Sequence, residues 1–386
     1  YGYPSQQMRL VGITGTNGKS TTATLIYHLL RKLGYATGLI STIAYYINGK
    51  RFDSSHTTPD ALRINRLMWE MVRAGCKFVV MEVSSHALAQ KRIKGLHFTG
   101  GIFTNISHDH LDYHKTFDEY IKAKKLFFDD LPQGSFALIN KDDKRADVMV
   151  QNCRASVRNF ALKAMADFKA KVIERHMEGM LLEINGQQLW TSFIGDFNAY
   201  NVLAVYGCGV ELGFDPELIL SIITELKPVE GRFQPFRSMD GKMAIVDYAH
   251  SPDALENVLK TLKEIRKKNS RIITIIGAGG DRDRTKRPLM GKIAESYSDQ
   301  VVLTSDNPRS EDPEKIIEEM KEGIRDQSAV LAITDRKEAI KTALTLARKD
   351  DMVLVAGKGH ETYQEIKGKR HHFDDKEVIM EVFKIY

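Results

Sequence analysis

The chain has 386 residues, 42% of them hydrophobic and 27% charged, a composition of globular proteins and a length that favours two domains over one core. Its 56 Lys and Arg against 50 Asp and Glu leave a formal charge of +6, but the two signs are interleaved, so a small anionic substrate accounts for the balance without nucleic acid. Cys76, Cys153 and Cys208 are odd in number and far apart, which argues against a disulfide framework and a zinc-finger spacing; no apolar run approaches the roughly 20 residues of a membrane span, and YGYPSQQMRL has no signal-peptide pattern. The expectation is a cytoplasmic monomer that binds neither nucleic acid nor membrane.

Strand-like and helical runs alternate from the start. RLVGIT is apolar and β-branched, and it leads through glycines into ATLIYHLLRKLG, which has helical periodicity. ATGLIST, KFVVMEV, TGGIFTNI and SFALIN read as further strands, with ALRINRLMWEMVRAG and FDEYIKAKKLFFDDL as helices between them. This alternation predicts a parallel, doubly wound sheet. Asn185-Gly186, between MLLEI and QQLW, predicts a hairpin. Two helices, FNAYNVLAVYGCGVELG and DPELILSIITEL, lead to KPVEGRF, after which the alternation restarts with MAIVDY, RIITIIG, QVVLTS and MVLVAG. The predicted fold is α/β throughout: a central P-loop doubly wound ATPase domain over residues 1–231 and a C-terminal Rossmann-like α/β domain over 232–386.

The first strand-to-helix turn, GITGTNGKSTT, carries the strongest chemical signal. A standard phosphate loop would place Gly at Ile13, so the loop is short by that standard. Even so, a strand running through glycines into a helix aims backbone N–H groups and the positive helix end at an anion, while Lys19 adds a point charge and Ser20 a hydroxyl for Mg²⁺. An ordinary Gly-rich turn is the plain alternative. At other strand ends, Glu82 closes KFVVME, and TNISHDHLDYH holds His108, His110 and Asp112. The H-x-H-x-D spacing could belong to a zinc hydrolase, but that pattern expects His where Tyr113 stands and leaves the phosphate loop unexplained. Glu82 and one His at a Mg²⁺ site beside a triphosphate fit better. Lys122, Lys124 and Lys125 read by composition as a solvated helix face. SDNPR reads as a turn whose position after VVLTS makes it a candidate ligand loop.

GTNGKST, HTTPD, MEVSSHALAQKR, TNISHDHLDYH, YIKAKKLF, GDFNAYN, EGRF, VDYAHSPDAL, GGDRDRTKRPLMG, SDNPR and AGKGHETYQ occur in this order over nearly the whole chain. Together they resemble the Mur ligase family, whose short phosphate loop is shared with folylpolyglutamate synthase. The resemblance implies an ATP- and Mg²⁺-dependent ligase that activates the carboxylate of UDP-N-acetylmuramoyl-dipeptide as an acyl phosphate and joins it to meso-diaminopimelate. It implies ATP contacts from Gly15, Thr16, Asn17, Gly18, Lys19, Ser20, Thr21, Asn198, Asn201, Arg232, Asp247 and His250. It implies metal ligation by Ser20, Glu82, His110 and Lys124, with Lys124 N-carbamylated and Lys19, Glu82, His110 and Lys124 catalytic. Thr57, Thr58, Ser84, Gln90 and Arg92 match positions for the muramoyl-dipeptide, and Arg282, Asp306, Asn307, Arg309, Gly357 and Glu361 positions for the amino acid. Family members usually carry an N-terminal UDP-binding domain, which the resemblance expects ahead of YGYPS and which this sequence lacks. The alternatives are an L-lysine-adding ligase, a folylpolyglutamate synthase, a P-loop kinase and the zinc hydrolase.

Overall fold

A computed structural model describes residues 1–109 and 111–385, without the side chains of residues 111 and 112. Within it the apolar runs form strands β1 (Arg9–Thr14), β2 (Thr37–Ile40), β3 (Ala44–Ile47), β4 (Lys50–Asp53), β5 (Phe78–Glu82), β6 (Gly100–Phe103), β7 (Phe136–Asn140), β8 (Ser156–Ala161), β9 (Phe168–His176), β10 (Gly179–Ile184) and β11 (Gln187–Thr191). Among the described residues these make one sheet in the order β11-β10-β9-β8-β7-β6-β1-β5-β2-β3-β4. The strands from β9 to β2 pair in parallel, and antiparallel hairpins finish both edges. β5, β6 and β7 are buried along their whole length, as strands covered on both faces must be.

The hairpin at Asn185-Gly186 forms with both residues at positive φ, 48° and 85°. Asn48-Gly49 repeats this geometry, at 46° and 91°, and builds the β3–β4 edge, which lies outside the expected elements. Helix Lys19–Lys32 buries Leu25, Ile26, Leu29 and Leu30 and packs against helix Asp196–Glu211. Helix Phe117–Asp129 buries Tyr120, Ile121, Ala123, Lys124, Phe127 and Phe128, a helical stripe that includes one lysine.

The first unit runs Tyr1–Lys227 and the second Pro228–Tyr386, so Pro228–Gly231 belongs with the second rather than with the first. Glu230 there accepts a 2.9 Å ion pair from Lys376 in helix Asp375–Phe383. The second unit adds β12 (Gln234–Arg237), β13 (Met243–Asp247), β14 (Ile272–Ile276), β15 (Gln300–Leu303), β16 (Val330–Ala332) and β17 (Met352–Ala356) in the order β12-β13-β17-β14-β15-β16. β12 is antiparallel and the rest are parallel. A small hairpin of β18 (Tyr363–Ile366) and β19 (Lys369–His372) follows. Register aligns Asp247, Ala356, Ile276 and Leu303 in one row, so the loops leaving four strands start side by side. At that row Arg336 and Asp375, both fully buried, form a two-point ion pair at 2.7 and 2.8 Å. Arg336 also donates to the Ala356 carbonyl, fixing the end of β17.

Candidate active site

In the first unit the chain leaves β1 for β2 on one side, returns to β5, and then crosses to β6 on the other side of β1. That reversal puts a crevice at the carboxyl end of β1, where open α/β sheets bind ligands. Ile13 lies opposite Glu82 on β5, and Thr14 opposite Phe103 on β6, so the phosphate loop emerges between a carboxylate and the Thr104-Asn105 segment.

The loop is braced from several sides. Gly18 caps helix Lys19–Lys32 at φ 85°, a left-handed conformation that glycine adopts without steric cost, and no acidic residue in the first turn offsets the positive helix end. Thr104 Oγ1 and Asn105 Nδ2 donate to the Asn17 carbonyl at 2.6 and 3.1 Å, and the Asn17 N–H donates to Asn105 Oδ1 at 2.9 Å. Thr16 Oγ1 accepts from the Ser107 N–H and pairs with the Tyr120 hydroxyl at 3.1 Å. Ser20 and Thr21 are buried at the helix start. Asn201 Oδ1 accepts from Thr22 Oγ1, and Asn201 Nδ2 donates to Asn198 Oδ1, whose own amide donates to the Ile194 carbonyl. Both asparagines thus stand behind the loop as supports. Lys19 Nζ donates to the Gly15 and Thr16 carbonyls at 3.0 and 2.7 Å.

Lys124 stands where the family motif, and not composition, places it. It is 1% exposed, donates to the Gly15 carbonyl at 2.7 Å and sits 4.8 Å from the Tyr120 ring centre. Burial, and then repulsion from Lys19, hold its pKa well below the ordinary lysine value, and attraction to Asp109 offsets this only in part. A lysine driven toward its neutral form is a nucleophilic amine. Sequence composition hid this, because Lys122 and Lys125 on the same helix are conventional ion-pairing residues, with Glu119 and Asp129.

Glu82 is fully buried and accepts from the Thr42 N–H at 2.7 Å and from Thr42 Oγ1 at 3.2 Å. Its donor neighbours are uncharged, so its oxygens and the Thr42 hydroxyl are hard donors of the kind Mg²⁺ takes. Among the described residues no three His, Cys, Asp or Glu side chains converge as ligands. His108 stacks on Phe117 at 4.3 Å, and His110, expected at a second metal, lies outside the described residues, as does the side chain of Asp112.

Thr57, Thr58, Ser84, Gln90 and Arg92 are joined by hydrogen bonds next to Glu82. Thr42 Oγ1 and Thr57 Oγ1 are hydrogen-bonded at 2.9 Å, Thr58 Oγ1 donates to the Glu82 carbonyl and accepts from the Ser84 N–H, and Arg92 Nη1 donates to the Thr58 carbonyl. Arg92 Nε and Nη2 both reach Gln90 Oε1, a neutral partner for a fork that suits a carboxylate.

In the second unit Asp247 ends β13 and accepts from the Phe233 N–H at 2.7 Å; burial raises its pKa, and Arg232 counters that. The Arg232 guanidinium lies 4.3 Å from the Tyr248 ring centre, and His250 Nδ1 is 2.8 Å from the Tyr248 carbonyl oxygen. The loops after β14, β15 and β17 interlock. Gly357, at φ 116°, passes so close to the Asp306 carboxylate that a Cβ there would collide with it. Asn307 donates to Glu361 Oε2 at 2.8 Å and accepts from the Glu365 N–H at 2.9 Å. Arg309 sits at φ 50° with its N–H on the Glu365 carbonyl, and its guanidinium donates to the Gly280 carbonyl at 2.6 Å. Its Nε also faces the Glu365 carboxylate at 3.9 Å, so among the described residues this guanidinium has one hydrogen bond and a looser ion pair for its five N–H donors. Arg282 is exposed, and its Cγ and Arg309 Nη1 flank Gly279, 3.6 and 3.0 Å from where a Cβ would stand.

Two further residues, Arg287 and Lys358, stand inside the motifs GGDRDRTKRPLMG and AGKGHETYQ but drew no role of their own from the sequence. Arg287, 1% exposed, clamps Glu311 at 2.8 Å and Glu319 at 2.7 Å and donates to the Gly279 carbonyl. Arginine pairing holds the Glu311 carboxyl down at about 2. The second is Lys358, which is fully buried and bridges Asn307 Oδ1 and Glu361 Oε2 at 3.2 and 3.1 Å.

The Mur ligase middle domain family matches residues 13–209, and the family described as "Mur ligase, glutamate ligase domain" matches residues 231–359. A UDP-N-acetylmuramoyl-L-alanyl-D-glutamate–2,6-diaminopimelate ligase of Parabacteroides distasonis is 56% identical over 385 residues, 99% of this chain and 79% of that protein. A protein of the same name from Cytophaga hutchinsonii is 57% identical over 384 residues, with the same coverage of 99% and 79%. A solved structure of a ligase with that name is 36% identical with a TM-score of 0.68, covering 98% of this chain and 78% of that one.

Proposed function

The chain belongs to the Mur ligase family, and from that premise we propose that it joins meso-diaminopimelate to UDP-N-acetylmuramoyl-L-alanyl-D-glutamate, driven by ATP, in peptidoglycan precursor synthesis. The observation that carries the reading is the carboxyl end of β1, where Lys19 and the buried Lys124 both donate to the Gly15 carbonyl of one phosphate loop.

The loop N–H groups and Lys19 hold the triphosphate while the dipeptide carboxylate attacks the γ-phosphorus and ADP leaves. The amine of the amino acid then attacks the acyl phosphate carbon, and phosphate departs from the tetrahedral intermediate. Such chemistry asks the protein for positioning and charge neutralisation above all. Lys124 in its neutral form adds to CO₂, losing a proton, and becomes an anionic carbamate; the lowered pKa supports this, since only the free amine reacts. With Ser20, Glu82 and His110 that carbamate would hold Mg²⁺, which when bound neutralises phosphate charge. Thr57, Thr58, Ser84, Gln90 and Arg92 orient the dipeptide. Asn198 and Asn201 act on ATP through the loop they support, and Arg232, Asp247 and His250 complete the assignment for the nucleotide. Asp306, Asn307, Arg309, Gly357, Glu361 and Arg282 receive the amino acid. Diaminopimelate is favoured over L-lysine by the Arg309 guanidinium, held only loosely by Glu365 at 3.9 Å, whose fork suits the second carboxylate.

The test is phosphate release measured with each substrate omitted in turn. Release is expected only when ATP, the UDP-linked dipeptide and meso-diaminopimelate are all present; release from ATP alone would indicate a kinase or hydrolase instead.

A further inference from the structure

Lys358 follows the close approach of Gly357 to Asp306 and is carried into the interior at 0% exposure. Its ammonium has three neighbours: Asn307 Oδ1 at 3.2 Å, Glu361 Oε2 at 3.1 Å, and the Tyr363 ring with its centre at 5.4 Å. Asn307 Nδ2 donates to the same Glu361 oxygen. Both side-chain donors to Glu361 therefore fall on Oε2, and among the described residues none falls on Oε1. A carboxylate held in this way keeps one oxygen for an incoming ammonium group, while the buried cation beside it cancels its net charge.

We propose that Lys358 is a positioning residue that sets the charge preference of the amino-acid subsite. The inference rests on the assignment of Asn307 and Glu361 to the amino acid. Meso-diaminopimelate carries two ammonium and two carboxylate groups and is neutral overall; L-lysine has one carboxylate fewer and carries a net positive charge. Without Lys358, Glu361 would lose the cation bonded to it and keep only the more distant Arg336, with the Asp306 carboxylate also near that arginine, and the pocket would attract the cationic substrate more strongly. With Lys358 the field of a buried positive charge, weakly screened by protein, opposes an excess cation and favours the extra carboxylate. Selectivity then has two sources: direct pairing by Arg309, and the sign of the field around Glu361. Lys358 acts through the second without touching the substrate.

The experiment compares Lys358→Met, Lys358→Gln and Lys358→Arg with the unaltered chain, measuring kcat/KM for meso-diaminopimelate and for L-lysine at saturating ATP and UDP-linked dipeptide, and KM for ATP. Both neutral variants should lower the diaminopimelate-to-lysine ratio by about tenfold, the scale of one buried charge acting at several ångströms, with KM for ATP changed less than twofold. Lys358→Arg should keep the ratio. Two neutral replacements are included because one that folds poorly leaves the other to decide. An equal loss for both amino acids would mean a structural role and would overturn the proposal, as would an unchanged ratio. If the unaltered chain used neither amino acid, the functional reading would fall and this inference with it; if it prefers diaminopimelate and the neutral variants do too, only the role of Lys358 falls.

Discussion

Lys124 in the first unit and Lys358 in the second are both withdrawn from solvent, 1% and 0% exposed, yet their surroundings are opposite in kind. Lys124 hydrogen-bonds to a peptide carbonyl and is repelled by Lys19, whereas Lys358 has the Glu361 carboxylate at 3.1 Å and Asn307 beside it. Burial alone penalises the charged form of either, so the partner decides what a buried lysine is for. Without a directly bonded carboxylate it becomes a reactive amine; with one it becomes a fixed charge.

The largest effect that could break this contrast is expected at Lys124. Lys124→Ala should reduce turnover by about 10³-fold or more, the range for losing a group that organises transition-state charge. Added short carboxylic acids should recover part of the loss by supplying the anion, and Lys124→Arg should remain inactive. Full activity in the arginine variant would dismiss the carbamate.

Lys19→Ala sharpens the same point with a smaller loss, about 10²-fold in turnover. Because Lys19 repulsion is one of the causes lowering the Lys124 pKa, its removal should raise that pKa. The acid limb of carbamylation, followed by ¹³CO₂ labelling of the residual protein, should then move to higher pH. An unmoved limb would show that burial acts alone.

On the second side of the comparison, Arg309→Ala should cost about tenfold or more in discrimination between diaminopimelate and lysine, since an arginine fork pairs with a carboxylate at about 1.5–3 kcal/mol. Unchanged discrimination in kcat/KM would leave Arg309 as a turn residue.

The smallest effects are in stability, and they should differ in sign. Lys358→Met leaves Glu361 without its cation and should destabilise by about 2 kcal/mol, below the value for a fully buried pair because Glu361 keeps some exposure. Lys124→Met removes a buried amine with no carboxylate bonded to it and should be neutral or stabilising by about 1 kcal/mol. At neutral pH the unfolded chain protonates Lys124 and the native state resists doing so. Stability therefore rises with pH from the lowered native pKa up to the ordinary value of 10.5, a slope that Lys124→Met should remove. Urea titrations at several pH values read both signs, and equal losses in the two variants would erase the distinction.

Much of this was legible in the residues. The phosphate loop, Glu82 at the end of β5 and the loop at Asp306 were found because strand ends and Gly-rich turns have local signatures. The Asn185-Gly186 hairpin was read, while the same dipeptide at Asn48-Gly49 was passed over although it forms the same turn. Lys124 carried a usable signal in its spacing of four from Tyr120 and Phe128, which puts it on the buried stripe; composition had put it among the solvated lysines.

Lys358 and Arg287 stand inside family motifs but had no burial signal, and neither had the Arg336–Asp375 pair. Glu361 is only three residues from Lys358, but Asn307, Glu311, Glu319 and Asp375 come from distant segments, and β17 enters the sheet between β13 and β14 although it follows both in sequence. The order of residues determined the strand-and-helix alternation, the phosphate loop and the family motifs, because propensity, periodicity and turn chemistry act over a few residues. Tertiary structure decided which charged groups were buried together and with what partner. That depends on strand order and register, which local patterns do not encode, and the free energy of a buried charge is set almost entirely by the groups within a few ångströms of it.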